Sequence, residues 1–210
     1  MSTQPGYLLV VEDIPDILKL LEATLTFKGH RVVTARNGEE ALEAMERERP
    51  ALVITDILMP KMDGFSLVHR LRINPETRDI PVVFLSATYV APEDKAFALT
   101  IGVTRFIEKP VALDEFVPII EKLLKQGAPA AQQTINEIDF YDGYRKRLEI
   151  KLNQKTTQIA RDERLLETLS DEEKPSFQAS MQLARSEREE IKHLLEQIHE
   201  QLENISKSEE

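Results

Sequence analysis

Between residues 7 and 125 the chain alternates short apolar runs with longer amphipathic stretches, and it does so five times. Tyr7–Val11, Arg31–Ala35, Leu52–Thr55, Ile80–Leu85 and Arg105–Ile107 are short and rich in β-branched or aliphatic residues, as strands are. Asp16–Lys28, Glu39–Arg49, Phe65–Ile73, Pro92–Thr100 and Leu113–Leu124 carry apolar residues at helical spacing. The punctuation agrees: Gly29 reads as a helix stop, Asn37-Gly38 as a turn, Pro50 as a helix end and Pro92 as a first-turn proline. Uniformly apolar strands are buried on both faces, which requires a parallel sheet with helices on each side. Right-handed crossovers then reduce the topology to a doubly wound sheet, whose functional crevice lies at the carboxyl ends of the strands.

Five suitable side chains are expected at those ends. Glu12 and Asp13 follow strand one, Asp56 follows strand three, Ser86 follows strand four and Lys109 follows strand five. Three carboxylates brought within a few ångströms repel one another unless a cation or proton intervenes. Their hard oxygens suit Mg²⁺. A hydroxyl and an ammonium on the same crevice would hold two oxygens of a phosphoryl group carried by Asp56.

Val11-Glu12-Asp13, Asp56-Ile57-Leu58-Met59-Pro60-Lys61-Met62-Asp63-Gly64, Leu85-Ser86-Ala87 and Glu108-Lys109-Pro110 resemble the signatures of response-regulator receiver domains over about residues 6–125. The resemblance implies a flavodoxin-like five-stranded sheet of order 2-1-3-4-5. It also implies that Asp56 accepts a phosphoryl group from a histidine kinase or phosphotransfer protein. Asp13 would bind Mg²⁺ directly, Glu12 through water, and the Leu58 carbonyl would complete the metal ligands. Ser86 and Lys109 would hold the phosphoryl oxygens, the Lys109–Pro110 bond would be cis, and Phe106 would turn inward as Ser86 moves. Glu12 stands where the family more often has Asp. Such a domain acts on itself alone, as a switch and not as an enzyme with turnover.

Charge narrows the partners. The 210 residues carry a formal net charge of -10, and the densest basic run is Arg145-Lys146-Arg147. An acidic chain is repelled by nucleic-acid backbones and anionic lipid, so neither is an expected partner. There is no cysteine, which excludes disulfides and thiolate metal sites. Residues 1–6 lack the pattern of a secretory signal, and no apolar run approaches the roughly 20 residues of a membrane span. A cytoplasmic chain is expected.

The expected organisation is a receiver domain over 1–125, a linker over 126–134 and an antiparallel two-helix hairpin, or coiled coil, over 135–210 with its tip near 170–175. Phe177, Met181, Ala184, Arg188, Ile191, Leu195, Ile198, Leu202 and Ile205 are spaced as a heptad seam. Ile138, Tyr141, Arg145, Leu148, Leu152, Lys155, Ile159, Asp162, Leu166 and Leu169 follow that rhythm less well. Arg188 and Asp162 could meet across the hairpin. The seam suggests a homodimer through a four-helix bundle or a docking surface for a partner protein. A relay through His193 or His199 is the alternative, although neither lies in a histidine-kinase H-box. Glu149 and Asn153, one turn apart, are a weaker candidate pair for attack on a phosphoryl site.

Overall fold

The structure, a computed structural model, describes residues 6–87, 91–126, 135–170 and 174–208. It divides into two compact units, Met1–Ile135 and Asn136–Glu210.

The first unit runs β1 (Leu8–Val11), α1 (Pro15–Phe27), β2 (Val32–Ala35), α2 (Gly38–Arg47), β3 (Leu52–Asp56), α3 (Gly64–Ile73), β4 (Val82–Ser86), α4 (Pro92–Thr100), β5 (Arg105–Glu108) and α5 (Leu113–Gln126). The five strands are parallel in the order β2-β1-β3-β4-β5. Every residue of β1, β3 and β4 is buried, as expected of strands covered on both faces. The edge strands differ: β2 is half-buried over its first three residues and β5 is exposed at both ends. Uniform burial therefore holds only for the centre of the sheet.

Several boundaries shift by one or two residues from the sequence expectation. β3 extends to include Asp56, and β4 begins at Val82 and includes Ser86. Ile80 is buried without joining the ladder. The helix starts follow local chemistry. Asn37 caps α2 by accepting from the Glu40 backbone N–H at 3.0 Å, while the Glu40 carboxylate accepts from the Arg36 N–H at 2.9 Å. Asp63 caps α3, accepting from the Ser66 N–H at 2.9 Å and the Ser66 hydroxyl at 2.8 Å. α1 ends before Gly29, which takes φ +85°.

Under α3 and α4 the core is aromatic. The Phe65 ring meets Phe84 edge-on at 5.2 Å and Phe97 at 5.4 Å. Phe65 is completely buried, worth about 1.5–3 kcal/mol.

The second unit contains α6 (Glu137–Leu166) and α7 (Lys174–Ser208), the arms of the expected hairpin. Asn136 caps α6 through the Asp139 N–H at 2.8 Å. On α7 the heptad positions Met181, Ala184, Ile191, Leu195 and Ile198 are buried, joined by Leu194. On α6 Tyr141, Leu148 and Ile159 of the expected seam are buried, whereas Ile138 at its start is exposed and Phe140 and Tyr144, outside the seam, are fully buried. Phe140 stacks edge-on with Tyr141 at 5.1 Å and lies 5.9 Å from Tyr144. This aromatic row at i, i+4 spacing sets the helix face. Arg188 pairs with its neighbour Glu189 at 2.8 Å, and Asp162 with Arg161 at 3.5 Å. The hairpin is instead crossed by Lys155–Glu187 at 2.5 Å and Arg185–Glu163 at 2.7 Å.

Gln126, expected in the linker, closes α5. Residues 127–134 and the hairpin tip at 171–173 lie outside the described residues. No helix among the described residues is long and apolar enough to cross a membrane.

Candidate functional site

Strand register gathers the site. Val11 pairs with Ala35 on one side and Thr55 on the other, so Glu12, Asp13 and Asp56 emerge together. Asp56 lies opposite Leu85, and Ser86 opposite Glu108. The Lys109 N–H donates to the Ser86 carbonyl at 2.9 Å. All four strand ends thus open on one crevice, the position expected of a doubly wound sheet.

Among the described residues, Glu12, Asp13 and Asp56 form the one group of at least three potential ligand side chains whose donor atoms lie within 4.8 Å of one another. Lys109 bridges two of them, with Nζ donating at 2.7 Å to Glu12 Oε2 and at 2.7 Å to Asp56 Oδ2. The Ile57 N–H donates to Asp56 Oδ1 at 2.6 Å, fixing the carboxylate plane.

The electrostatics are those of a site with excess negative charge. Burial, then repulsion by Asp56, raises Glu12 above the usual carboxylate range despite Lys109. Asp13 is raised for the same two reasons. Burial raises Asp56 against the lowering pull of Lys109 and the Ile57 N–H. Burial opposes the charge on Lys109, but Asp56 and Glu12 outweigh it and hold the ammonium above its ordinary value. One ammonium facing three carboxylates leaves a deficit that a divalent cation would fill. The donor set, three hard oxygens, fits Mg²⁺.

Two close approaches shape the loop after β3. A Cβ on Gly64 would stand 2.3 Å from the Asp56 carbonyl oxygen, so only glycine lets α3 start this near the site. The Gly38 N–H donates to the Met62 carbonyl at 2.9 Å, bracing that loop against the start of α2. Between them Lys61 takes φ 66°, an uncommon conformation for a residue with a Cβ. Sequence reading identified the Asn37-Gly38 turn but had no signal for its contact with Met62, which is made 24 residues away.

The other expected residues are placed as follows. Ser86 is buried at the end of β4. Leu58 lies half-buried in the β3–α3 loop. The Lys109–Pro110 bond is cis. Phe106 is half-buried on β5, 6.5 Å from the Phe84 ring, with the Lys95 ammonium 5.7 Å above its own ring. Lys95, from α4, also pairs with Glu108. This contact between separate elements left no trace in sequence spacing. In the second unit His193 and His199 are both exposed on α7, as are Glu149 and Asn153 on α6. Glu149 accepts from Arg145 at 3.1 Å.

Comparison with known proteins bears on the first unit. The transcriptional regulatory protein GlrR of Escherichia coli K12 is 40% identical over 138 residues, 65% of this chain and 30% of that protein. The receiver domain of a Syntrophus aciditrophicus signal transduction histidine kinase is 34% identical with TM-score 0.54, covering 62% of this chain and 97% of that one. The receiver domain of NtrX from Brucella abortus is 32% identical with TM-score 0.52, covering 56% and 98%. The chain spans about a third to a half of the length of curated transcriptional regulators that it matches. The response regulator receiver domain model matches residues 8–121, more than half of the chain, and the chain therefore belongs to the response-regulator receiver family.

Proposed function

We propose that this protein is the phosphoryl-accepting switch of a two-component relay, with Asp56 as the acceptor. The observation that carries the reading is the convergence of Glu12, Asp13 and Asp56 with Lys109 bonded between two of them. An Asp56 carboxylate oxygen attacks the phosphorus of a phosphohistidine on a histidine kinase or phosphotransfer protein. A P–O bond forms as the P–N bond breaks, and the leaving imidazole takes a proton from solvent. The attacking form of Asp56 is the carboxylate, which needs no general base. The Ile57 N–H holds Oδ1, which leaves the other oxygen to react. Lys109, released from Asp56 Oδ2 as that oxygen is esterified, keeps its charge and turns to a phosphoryl oxygen. Ser86 donates its hydroxyl to another. Glu12, Asp13, Asp56 and the Leu58 carbonyl are the residues that would hold Mg²⁺, which when bound supplies neutralisation of the charge on the transferring group. Water later hydrolyses the acyl phosphate, so the domain resets itself and turns over no separate substrate.

The test is direct. The full chain, incubated with acetyl phosphate and Mg²⁺, should gain the mass of one phosphoryl group, mapped to the peptide carrying Asp56. The Asp56→Asn variant should gain nothing. A phosphoryl group mapped elsewhere would refute the reading.

Output is assigned to protein contacts of the α6–α7 hairpin, including self-association, within the cytoplasm. The hairpin's net charge of -6, from 12 basic and 18 acidic residues, supports protein and not nucleic acid as the partner. Light scattering of the full chain with Mg²⁺, before and after beryllofluoride, tests self-association. A monomer in both states would remove the homodimer.

A further inference from the structure

We propose that Lys95 is a latch: it holds Phe106 in the half-exposed position and thereby weakens the hold of the Asp56 site on a phosphoryl group. The proposal rests on the phosphoacceptor reading and deepens it.

Phe106 and Glu108 are two residues apart on β5, so their side chains leave the same face of the sheet. Lys95, on the first half of α4, meets both. Its ammonium lies 5.7 Å from the Phe106 ring centroid and is ion-paired with Glu108. A cation over a ring and a carboxylate beside it form one three-membered contact between α4 and β5. Phe106 also touches Phe84, its partner in the β4–β5 register. The ring therefore has an apolar neighbour inward and a charged one outward. Glu108 in turn is the register partner of Ser86, the hydroxyl that closes on a phosphoryl oxygen.

Inward rotation of Phe106, coupled to that movement of Ser86, takes the ring from beneath the ammonium. Whatever the contact contributes in the outward state must then be given up when the site is filled. By linkage, a ligand that selects the inward state binds more weakly by the same factor. Lys95 and Glu108 are both substantially solvent-exposed, so the contact is of modest strength. The expected factor is about three- to ten-fold.

The sign separates this idea from plain electrostatics. Beryllofluoride is anionic, so removing a nearby cation should weaken its binding. A latch predicts the opposite. The experiment titrates the full chain with beryllofluoride in saturating Mg²⁺, reading bound fluorine by NMR. Wild type, Lys95→Met, Phe106→Leu and the Lys95→Met/Phe106→Leu double variant are compared, with Asp56→Asn as the blank. Lys95→Met keeps the aliphatic stem and should bind about three- to ten-fold tighter. In the Phe106→Leu background the same substitution should bring no tightening. Unchanged or weaker binding by a folded Lys95→Met variant overturns the latch alone, as does equal tightening without Phe106. A wild type that takes up no beryllofluoride overturns the Asp56 reading, and the latch with it.

Discussion

Replacing Gly64 with alanine tests the geometry of the site without touching a charge. The added Cβ would lie 2.3 Å from the Asp56 carbonyl oxygen, 3.2 Å from its carbon and 3.0 Å from Ile57 Cα. The first distance is about 1 Å too short for van der Waals contact. Neither side can yield cheaply. The Asp56 carbonyl belongs to β3, and α3 is pinned by the Asp63 cap, by the Gly64 N–H donating to the Ile57 carbonyl at 2.8 Å, and by the buried Phe65 ring. Overpacking of this kind costs about 1–3 kcal/mol, and a backbone-to-backbone clash belongs at the upper end. Alanine recovers about 0.5–1 kcal/mol by restricting the unfolded chain. The net expectation is a loss of about 2 kcal/mol, which corresponds to roughly 30-fold faster exchange of amides that open only with the unit. The assay is hydrogen exchange of the β3 peptide in the full chain, beside the rate of phosphorylation by acetyl phosphate. Gly38→Ala is the comparison. There the added Cβ meets Met62 side-chain atoms at 2.6 Å and 2.8 Å, which can swing aside, so the cost should stay below about 1 kcal/mol. The contact reasoning fails if β3 of Gly64→Ala exchanges at the wild-type rate, or if Gly38→Ala is the more damaging change.

Three further expectations follow from charges. With divalent metal removed by EDTA, the raised pKa values of Glu12, Asp13 and Asp56 mean that the folded chain binds more protons than the unfolded one just above the ordinary values of 3.8 and 4.5. Their contribution to stability is then lost as pH rises through the folded values, and added Mg²⁺ should restore it at neutral pH; a denaturation midpoint that ignores Mg²⁺ would falsify this. His69 behaves oppositely: burial, then Arg70, lowers it to about 4, so protonation of the unfolded chain removes stability as pH falls from 6.5 toward 4. Its ring resonances should titrate near pH 4, and His69→Gln should flatten that part of the stability profile by about 1–2 kcal/mol. In the hairpin, Lys155→Glu places two carboxylates where a half-buried pair stood at 2.5 Å; it should cost about 1–3 kcal/mol in a helix melt followed by circular dichroism, and adding Glu187→Lys should recover most of it.

The strand-end residues were legible because a parallel sheet converts sequence position into spatial position. Once five βα units are recognised, a residue at the carboxyl end of a strand opens on the crevice, so Glu12, Asp13, Asp56 and Lys109 could be placed from their positions in the chain. What sequence does not encode at short range is which atoms then meet. The bond from Lys109 to both Glu12 and Asp56 spans 97 and 53 positions. The Gly38–Met62 brace and the Lys95 contact with Phe106 and Glu108 likewise join separate elements, and neither residue type nor spacing advertises them.

The hairpin shows the same boundary between periodicity and register. The α7 seam was readable because its apolar residues repeat strictly and five of the nine are buried as spaced. On α6 the repeat is interrupted by Arg145, Lys155 and Asp162, yet Tyr141, Leu148 and Ile159 are buried as spaced; Ile138 at its start is exposed, and the rings of Phe140 and Tyr144 add buried area that the repeat did not include. The expected Arg188–Asp162 meeting required knowing the axial offset of two antiparallel helices. The pairs that actually face each other are Lys155 with Glu187 and Glu163 with Arg185.

Burial of these seams bears on self-association. A four-helix bundle needs a continuous apolar stripe left over once the two arms have packed. Among the described residues, the large apolar side chains that stay exposed on the hairpin are Ile138, Ile150, Leu165 and Leu183. The three on α6 are separated by 12 and 15 positions. At about 100° and about 1.5 Å per residue, Ile150 is turned about 120° from Ile138, and Leu165 lies about 60° round from Ile150 but about 22 Å further along, so the three form no continuous stripe. A homodimer through the hairpin would therefore have to be polar or use fewer anchors than the heptad first suggested. Such an interface should weaken with salt, since exposed charges are screened beyond about 8–10 Å at physiological ionic strength. Light scattering across a salt series separates the cases. Dimers that persist at high salt would mean an apolar seam after all, dimers that dissolve would identify charged contacts, and monomers throughout would assign the hairpin to docking of a different protein.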